Sequence, residues 1–213
     1  YISQLYINSN LGALEDQINA SARVVQETDE PMHVTETSSL SITVPSKIQP
    51  KMLFENGYGG FSDDGSSYFI NTRPPLPWSN ILANKNFGTL VTDSGLGYTW
   101  NKNSQQNKLT TWSNDFVSDE QSEIIYIKDH TSNTAFPLCA AVDNSRVFTE
   151  HGKGFTRYVQ QHNNIETELT VFVPIQDPVK VHKLVISNNS NESKKLSIYH
   201  YLEIVMGENK FKS

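Results

Sequence analysis

Hydrophobic and polar residues alternate with period two through the last third of the chain, in the runs FTRYVQQHNN, IETELTVFVP, VKVHKLVISN and KKLSIYHYLEIV. Leu169, Val171 and Val173 alternate with Thr170 and Phe172, and Val179, Val181 and Lys183 face opposite to Lys180, His182 and Leu184. Period two is the repeat of a strand with two unlike faces. Strands are therefore predicted in all of these runs, separated by turns at NN (163–164), IQDP (175–178) and NNSNES (188–193). Upstream the signals are shorter. SEIIYIKD (122–129) predicts a strand closed by Asp129, FGTLVTDSG (87–95) a strand and turn, and GYTW a short strand. FENGYGGFSDDGSSYFIN predicts a loop and hairpin, with turn clusters NGYGG (56–60) and DDG (63–65) and a strand at SSYFIN. RPPLP (73–77) is excluded from a central strand because proline has no ladder donor.

Before residue 50 the pattern changes. Leu11, Leu14, Ile18, Ala22 and Val25 are spaced for a helix over about 11–27, ended by TDEP at 28–31. VTETSSLSITVPSKIQPKM, with Pro45 and Pro50, reads as a linker or a short edge strand. The expected architecture is mainly β, an antiparallel sandwich over 51–213 preceded by a helix and linker over 1–50.

Composition narrows the function. Hydrophobic residues make up 37% and charged residues only 19%, so the remainder is largely Asn, Ser, Thr and Gln. Net charge is −6, and arginine occurs only at positions 23, 73, 146 and 157. Without a basic cluster, a nucleic-acid partner is not expected. No apolar run approaches the ~20 residues of a membrane helix, and no signal-peptide pattern is present. Cys139 is alone, which rules out an intrachain disulfide, points to a reducing, cytoplasmic compartment and suggests a small buried apolar role. The chain starts at Tyr1 without methionine and ends just after a strand-like run, which reads as a fragment of a longer protein.

The candidate chemistry concentrates around the tryptophans. Trp78, Trp100 and Trp112 lie among Asn80, Asn84, Asn101, Asn103, Asn107 and Asn114. Aromatic rings stack on the C–H faces of pyranoses, and neutral amides serve the hydroxyl rim as donor and acceptor. The same residues equally suit a sandwich core with asparagine turns. Among the nearby carboxylates Asp93, Asp115, Asp119, Glu120 and Glu123, spacing does not separate a catalytic acid from solvated surface charge. The histidines at 33, 130, 151, 162, 182 and 200 form no HxH or HExxH spacing, so no metal site is expected, and His182 and His200 read as ordinary strand residues. No phosphate-binding, dinucleotide or nucleophile-elbow motif occurs.

Three stretches carry a family resemblance: ENGYGGFSDDGSSYFI, LPWSNILANKNFGTLVTDSGLGYTWNKNSQQNKLTTWSNDFVSD and ELTVFVPIQDPVKVHKLVISNNS. Together they resemble the N-terminal domain of the cellobiose-phosphorylase family, glycoside hydrolase family ninety-four, over about residues 53–207. Phe116 stands where the family usually has proline and Thr92 where it usually has serine. The opening stretch most resembles the branch acting on β-1,2-glucans, oligoglucan phosphorylases and cyclic glucan synthases. The resemblance implies a β-supersandwich followed by a helical linker and an (α/α)6 barrel. It implies inverting phosphorolysis with inorganic phosphate as co-substrate and no other cofactor, carried out by barrel residues absent from this chain. The implied partners are a β-glucan oligosaccharide, the barrel of the same polypeptide and a second copy in a homodimer. A cyclic glucan synthase parent would add membrane association. Trp78, Asn80, Asn84, Trp100, Asn103, Trp112, Asn114 and Asp115 are then the candidates to face the sugar or the barrel, none of them catalytic. A stand-alone sugar-binding sandwich and a purely structural assembly domain remain the alternatives.

Overall fold

A computed structural model describes residues 12–13, 15–17, 40–112, 121–139 and 146–208. The chain divides into two compact units, 1–39 and 40–213. In the first, residues 15–17 are helical, with the Gln17 amide donating to the Ala13 carbonyl at 3.3 Å. Residues 12–13 are not helical; the remaining positions of the helix expected over 11–27 lie outside the described residues, as do Asn114, Asp115, Asp119 and Glu120.

The second unit is built of strands: β1 (Ile42–Thr43), β2 (Gly59–Phe61), β3 (Ser67–Ile70), β4 (Ser79–Ala83), β5 (Phe87–Thr92), β6 (Gly95–Asn101), β7 (Lys108–Thr110), β8 (Glu123–Asp129), β9 (Thr134–Pro137), β10 (Phe148–Gly152), β11 (Phe155–His162), β12 (Ile165–Phe172), β13 (Val181–Asn188), β14 (Leu196–Leu202) and β15 (Ile204–Gly207). Every ladder between them is antiparallel. One sheet runs β13-β12-β11-β10-β3-β2, with β1 also on β11; a second runs β14-β8-β9; a third runs β15-β7-β6-β5-β4. β1 continues the line of β10 along the same edge of β11, Ile42 pairing with His162 and Phe148 with Val159. The short edge strand at Ile42–Thr43 therefore belongs to the β unit, because Ile42 is buried in its core.

The core forms where inward faces of the three sheets meet. It joins Ile42, Tyr158, Ile165, Leu169 and Val171 of the first sheet to Ile125, Ile127 and Phe136 of the second and Leu82, Val91 and Leu96 of the third, with Leu138 and Cys139. Alternation decides which residues enter: on β12, Ile165, Thr167, Leu169 and Val171 are buried while Glu166, Glu168, Thr170 and Phe172 are only partly covered. The opposite face of the first sheet carries a smaller cluster of Phe69, Phe148 and Val159, beside the Arg157–Glu150 ion pair at 2.7 Å.

One backbone irregularity redirects side chains in the third sheet. The β5–β6 register shifts between Leu90 and Thr92, and Gly97 sits there at φ 61°. A Cβ on Gly97 would lie 1.7 Å from the Leu90 carbonyl oxygen, so only glycine fits this bulge. Beyond it Thr99 pairs with Thr89, both buried, while Tyr98 and Trp100 pair with Leu90 and Gly88 on the other face.

Candidate functional site

The residues singled out by the tryptophan-rich stretch separate into three places. Trp78 and Asn80 enter the seam between the first and third sheets. The Trp78 amide donates to Asp93 Oδ1 at 2.7 Å, and the Trp78 carbonyl accepts from the Asp93 amide at 2.9 Å. That carbonyl also faces His151 Nε2 at 3.0 Å, which fixes the proton on Nε2 because a carbonyl only accepts. His151 Nδ1 then accepts from the Thr156 hydroxyl at 3.0 Å. The Asn80 amide donates to Thr156 Oγ1 and to the Gly152 and Phe155 carbonyls, at 3.0–3.1 Å. Tyr158 donates to the Thr92 carbonyl at 2.7 Å, and the Thr149 hydroxyl to the Asp93 carbonyl at 3.1 Å. Burial, only partly offset by the hydrogen bond to the Trp78 carbonyl, holds the His151 imidazole below the ordinary histidine range. The Trp78 ring packs edge-on against Tyr58 and Tyr68.

Asn84 and Asn103 build turns. Asn84 Oδ1 accepts from the amides of Asn86 and Phe87 at 2.9 Å, and its amide group donates to the Pro174 and Asp177 carbonyls at 2.7 and 2.8 Å. Asn103 Oδ1 accepts from the amides of Gln105 and Gln106. The bonds accepted by Asn84 and Asn103 Oδ1 are the local ones that suit asparagine to turns, while the Asn84 amide ties its turn to the segment between β12 and β13.

Trp100 and Trp112 come together on the outer face of the third sheet. Tyr98 lies between them, stacked on Trp112 at 4.8 Å and 9° and tilted against Trp100 at 5.2 Å. Trp100 lies over Gly88, where any Cβ would meet the indole. Trp112 is 43% exposed, and Ile81 on the same sheet is 63% exposed.

A further constellation is assembled from residues distant in sequence. Glu123 opens β8, Lys180 precedes β13, and His182 and His200 lie on β13 and β14. Thr99 and Thr110 donate to Glu123 Oε1 at 2.6 and 2.8 Å. Lys180 Nζ reaches Glu123 Oε2 at 2.6 Å and the Leu96 carbonyl at 2.8 Å. Both ends of this ion pair are buried, with side chains 2% and 6% exposed. Burial pulls the Lys180 ammonium below the ordinary lysine range, with Glu123 opposing it. Burial and then the nearby Lys180 charge take His182 down to about 4. The His182 and His200 rings meet edge to face at 5.2 Å. Their donor atoms and a Glu123 oxygen all lie within 4.8 Å of one another. The group floors an open pocket of about 490 Å³ whose rim is Leu109, Leu202, Ile204 and Met206.

The geometry decides what spacing left open: Asp93 and Glu123 are both buried, held by backbone and hydroxyl donors. His182 and His200 are on strands, but they converge with Glu123 across sheets instead of standing alone. The alternation that put Lys180 and His182 on one face was the available signal. Cys139 is free and buried as read. Among the described residues, no helix is long and apolar enough to cross a membrane.

The match to known proteins follows the three-sheet architecture. The family model for the glycosyl hydrolase 94 supersandwich domain matches residues 66–212. The chain belongs to this family. Over 164 residues, 74% of the chain, it is 35% identical to the cyclic beta-(1,2)-glucan synthase NdvB of Rhizobium meliloti (strain 1021), covering 6% of that protein. It is 28% identical over 153 residues to the N,N'-diacetylchitobiose phosphorylase of Vibrio furnissii, covering 19% of it. It is 24% identical over 163 residues to the solabiose phosphorylase of Paenibacillus borealis, covering 20%. The supersandwich thus spans a fifth or less of each relative.

Proposed function

We propose that this supersandwich is the non-catalytic part of an inverting phosphorylase or glucan synthase acting on β-glucans, β-1,2-linked ones first. The reaction would be phosphorolysis of an oligoglucan to glucose 1-phosphate, or cyclisation. The observation that carries the reading is the 35% identity with a cyclic β-(1,2)-glucan synthase across most of the chain. In this division of labour the proton donor to the glycosidic oxygen and the phosphate site belong to a helical barrel, and the sandwich docks on that barrel and supports a homodimer.

Surface chemistry supports docking. Ile198, Tyr199, Tyr201 and Leu202 of β14 and Ile204 and Met206 of β15 are 42–75% exposed. Ile198 and Tyr199 point to opposite faces of one strand, so neither face is fully covered. Exposed apolar side chains on both faces of an edge strand suit an interaction surface. Trp100, Trp112 and Tyr98 form the other candidate face, toward sugar or barrel. The hydrogen bonds of Asn80, Asn84 and Asn103 to their own chain make those asparagines supports for that surface.

The test is a phosphate-release assay of the 213-residue chain with β-1,2-oligoglucans and glucose 1-phosphate, beside the longer polypeptide carrying a barrel. Turnover is expected only with the barrel present. Turnover by the chain alone would overturn the division of labour, and a longer polypeptide active only on another linkage would overturn the substrate. Saturable quenching of tryptophan fluorescence by β-1,2-glucans, unchanged when the chain carries no barrel, would instead favour a sugar-binding module centred on Trp112.

A further inference from the structure

We propose that Glu123, His182 and His200 form a binding site for a divalent transition-metal cation, with zinc as the reference ion. Two imidazoles and one carboxylate are a common donor set for zinc, nickel and copper, whereas calcium and magnesium favour oxygen alone. The three donors come from three strands, β8, β13 and β14, and lie within 4.8 Å of one another. Donors bound tetrahedrally at about 2.0–2.1 Å stand about 3.4 Å apart. Closure by about 1.4 Å is therefore enough, and His200, the donor that would move, is exposed on the edge strand β14.

A second observation points to a ligand independently of this spacing. His182 Nε2 is buried and has no hydrogen-bond partner among the described residues. An unpartnered buried nitrogen is costly, and the pocket that His182 and His200 line supplies room for what would satisfy it. Glu123 is already oriented: Thr99 and Thr110 hold Oε1, which is the kind of second-sphere support that fixes a metal-binding carboxylate. The about 490 Å³ pocket leaves the remaining coordination position open to water or to a ligand hydroxyl. Lys180 opposes the cation, since its ammonium lies 2.6 Å from Glu123 Oε2. This makes the affinity sensitive to Lys180, and that sensitivity identifies the site.

The experiment is zinc titration of the metal-stripped 213-residue chain against a chromophoric chelator, with circular dichroism on every variant. One tight equivalent is expected. His182→Ala and His200→Ala should each weaken it at least about tenfold, while His130→Ala, on the outward His130–Ser197 hydrogen bond, should leave it unchanged. Magnesium and calcium should not compete. Lys180→Met should tighten zinc in a folded chain; equal or weaker binding there overturns the placement of the ion on Glu123. Zinc X-ray absorption of the unaltered chain should show two imidazole nitrogens. An all-oxygen shell, or uptake equal to that of the double variant His182→Ala/His200→Ala, overturns the proposal without depending on how any single variant folds.

Discussion

The seam around Asn80 and the cluster around Glu123 are both buried, polar and built from threonine, histidine and a carboxylate. They differ in how completely they are satisfied. In the seam, each nitrogen of His151 has a partner, Asn80 spreads its two amide hydrogens over three acceptors, and Asp93 bridges to Trp78. In the cluster, the carboxylate is held on both oxygens, yet His182, which lines a pocket, has no hydrogen-bond partner for its buried Nε2 among the described residues. A closed polar network fastens one sheet to another. An open one beside solvent is where a ligand can add free energy. The residue types alone would have ranked the two alike, because satisfaction and not composition separates them.

Breaking the buried ion pair should have the largest effect on this contrast. Glu123→Ala leaves Lys180 and two threonine hydroxyls without their partner, and a loss of about 3–5 kcal/mol is expected from urea unfolding. A cost below about 1 kcal/mol would mean that the ion pair is open to water. Asn80→Ala removes three bonds across the seam and should cost about 1–3 kcal/mol, with no effect on zinc uptake. Coupling between Asn80→Ala and zinc binding would show that the two regions are one unit.

The seam also predicts a pH dependence. His151 has a folded pKa below its unfolded value near 6.5, so the unfolded chain binds more protons in the interval between them. Its contribution is complete above that unfolded value and is lost as pH falls toward the folded pKa. Stability measured at pH 7.5 should exceed that at pH 5.5, and His151→Gln should flatten the part of the slope due to this residue. An unchanged slope would place the proton elsewhere. The smallest effect is expected at the exposed aromatic face. Trp112→Ala loses a stacking partner for Tyr98 and should cost no more than about 1 kcal/mol in the isolated chain. A cost of several kcal/mol would make Trp112 a core residue instead of a surface one.

Much of this fold is legible from period and punctuation. The run of β12 alternates cleanly, and asparagine and proline mark the breaks between the runs of β11, β12, β13 and β14. β4, β7, β9 and β10 were harder to see. SNILA is short and preceded by proline and tryptophan, KLT is a fragment of three residues, and FTEHG puts buried threonine and glutamate where a core strand ordinarily has aliphatics. Their pairing comes from neighbours remote in the chain. Likewise the asparagines near the tryptophans looked alike in sequence, but Asn80 and Asn84 bond to segments remote in the chain while Asn103 only closes a turn.

The amino-acid sequence by itself determined the class of this protein. Alternating runs demand strands with one buried face, short polar breaks make neighbouring strands antiparallel, and Gly97 and Gly88 permit a bulge and an indole where no side chain fits. Its long motif also determined the family. Only the tertiary structure decided which polar residues act together. Glu123, Lys180, His182 and His200 meet because β13 of the first sheet comes against β8 and β14 of the second, and no local spacing encodes that distance. Desolvation, which turns a glutamate from surface charge into a buried anchor and leaves one imidazole nitrogen unpartnered, exists only once those sheets have packed.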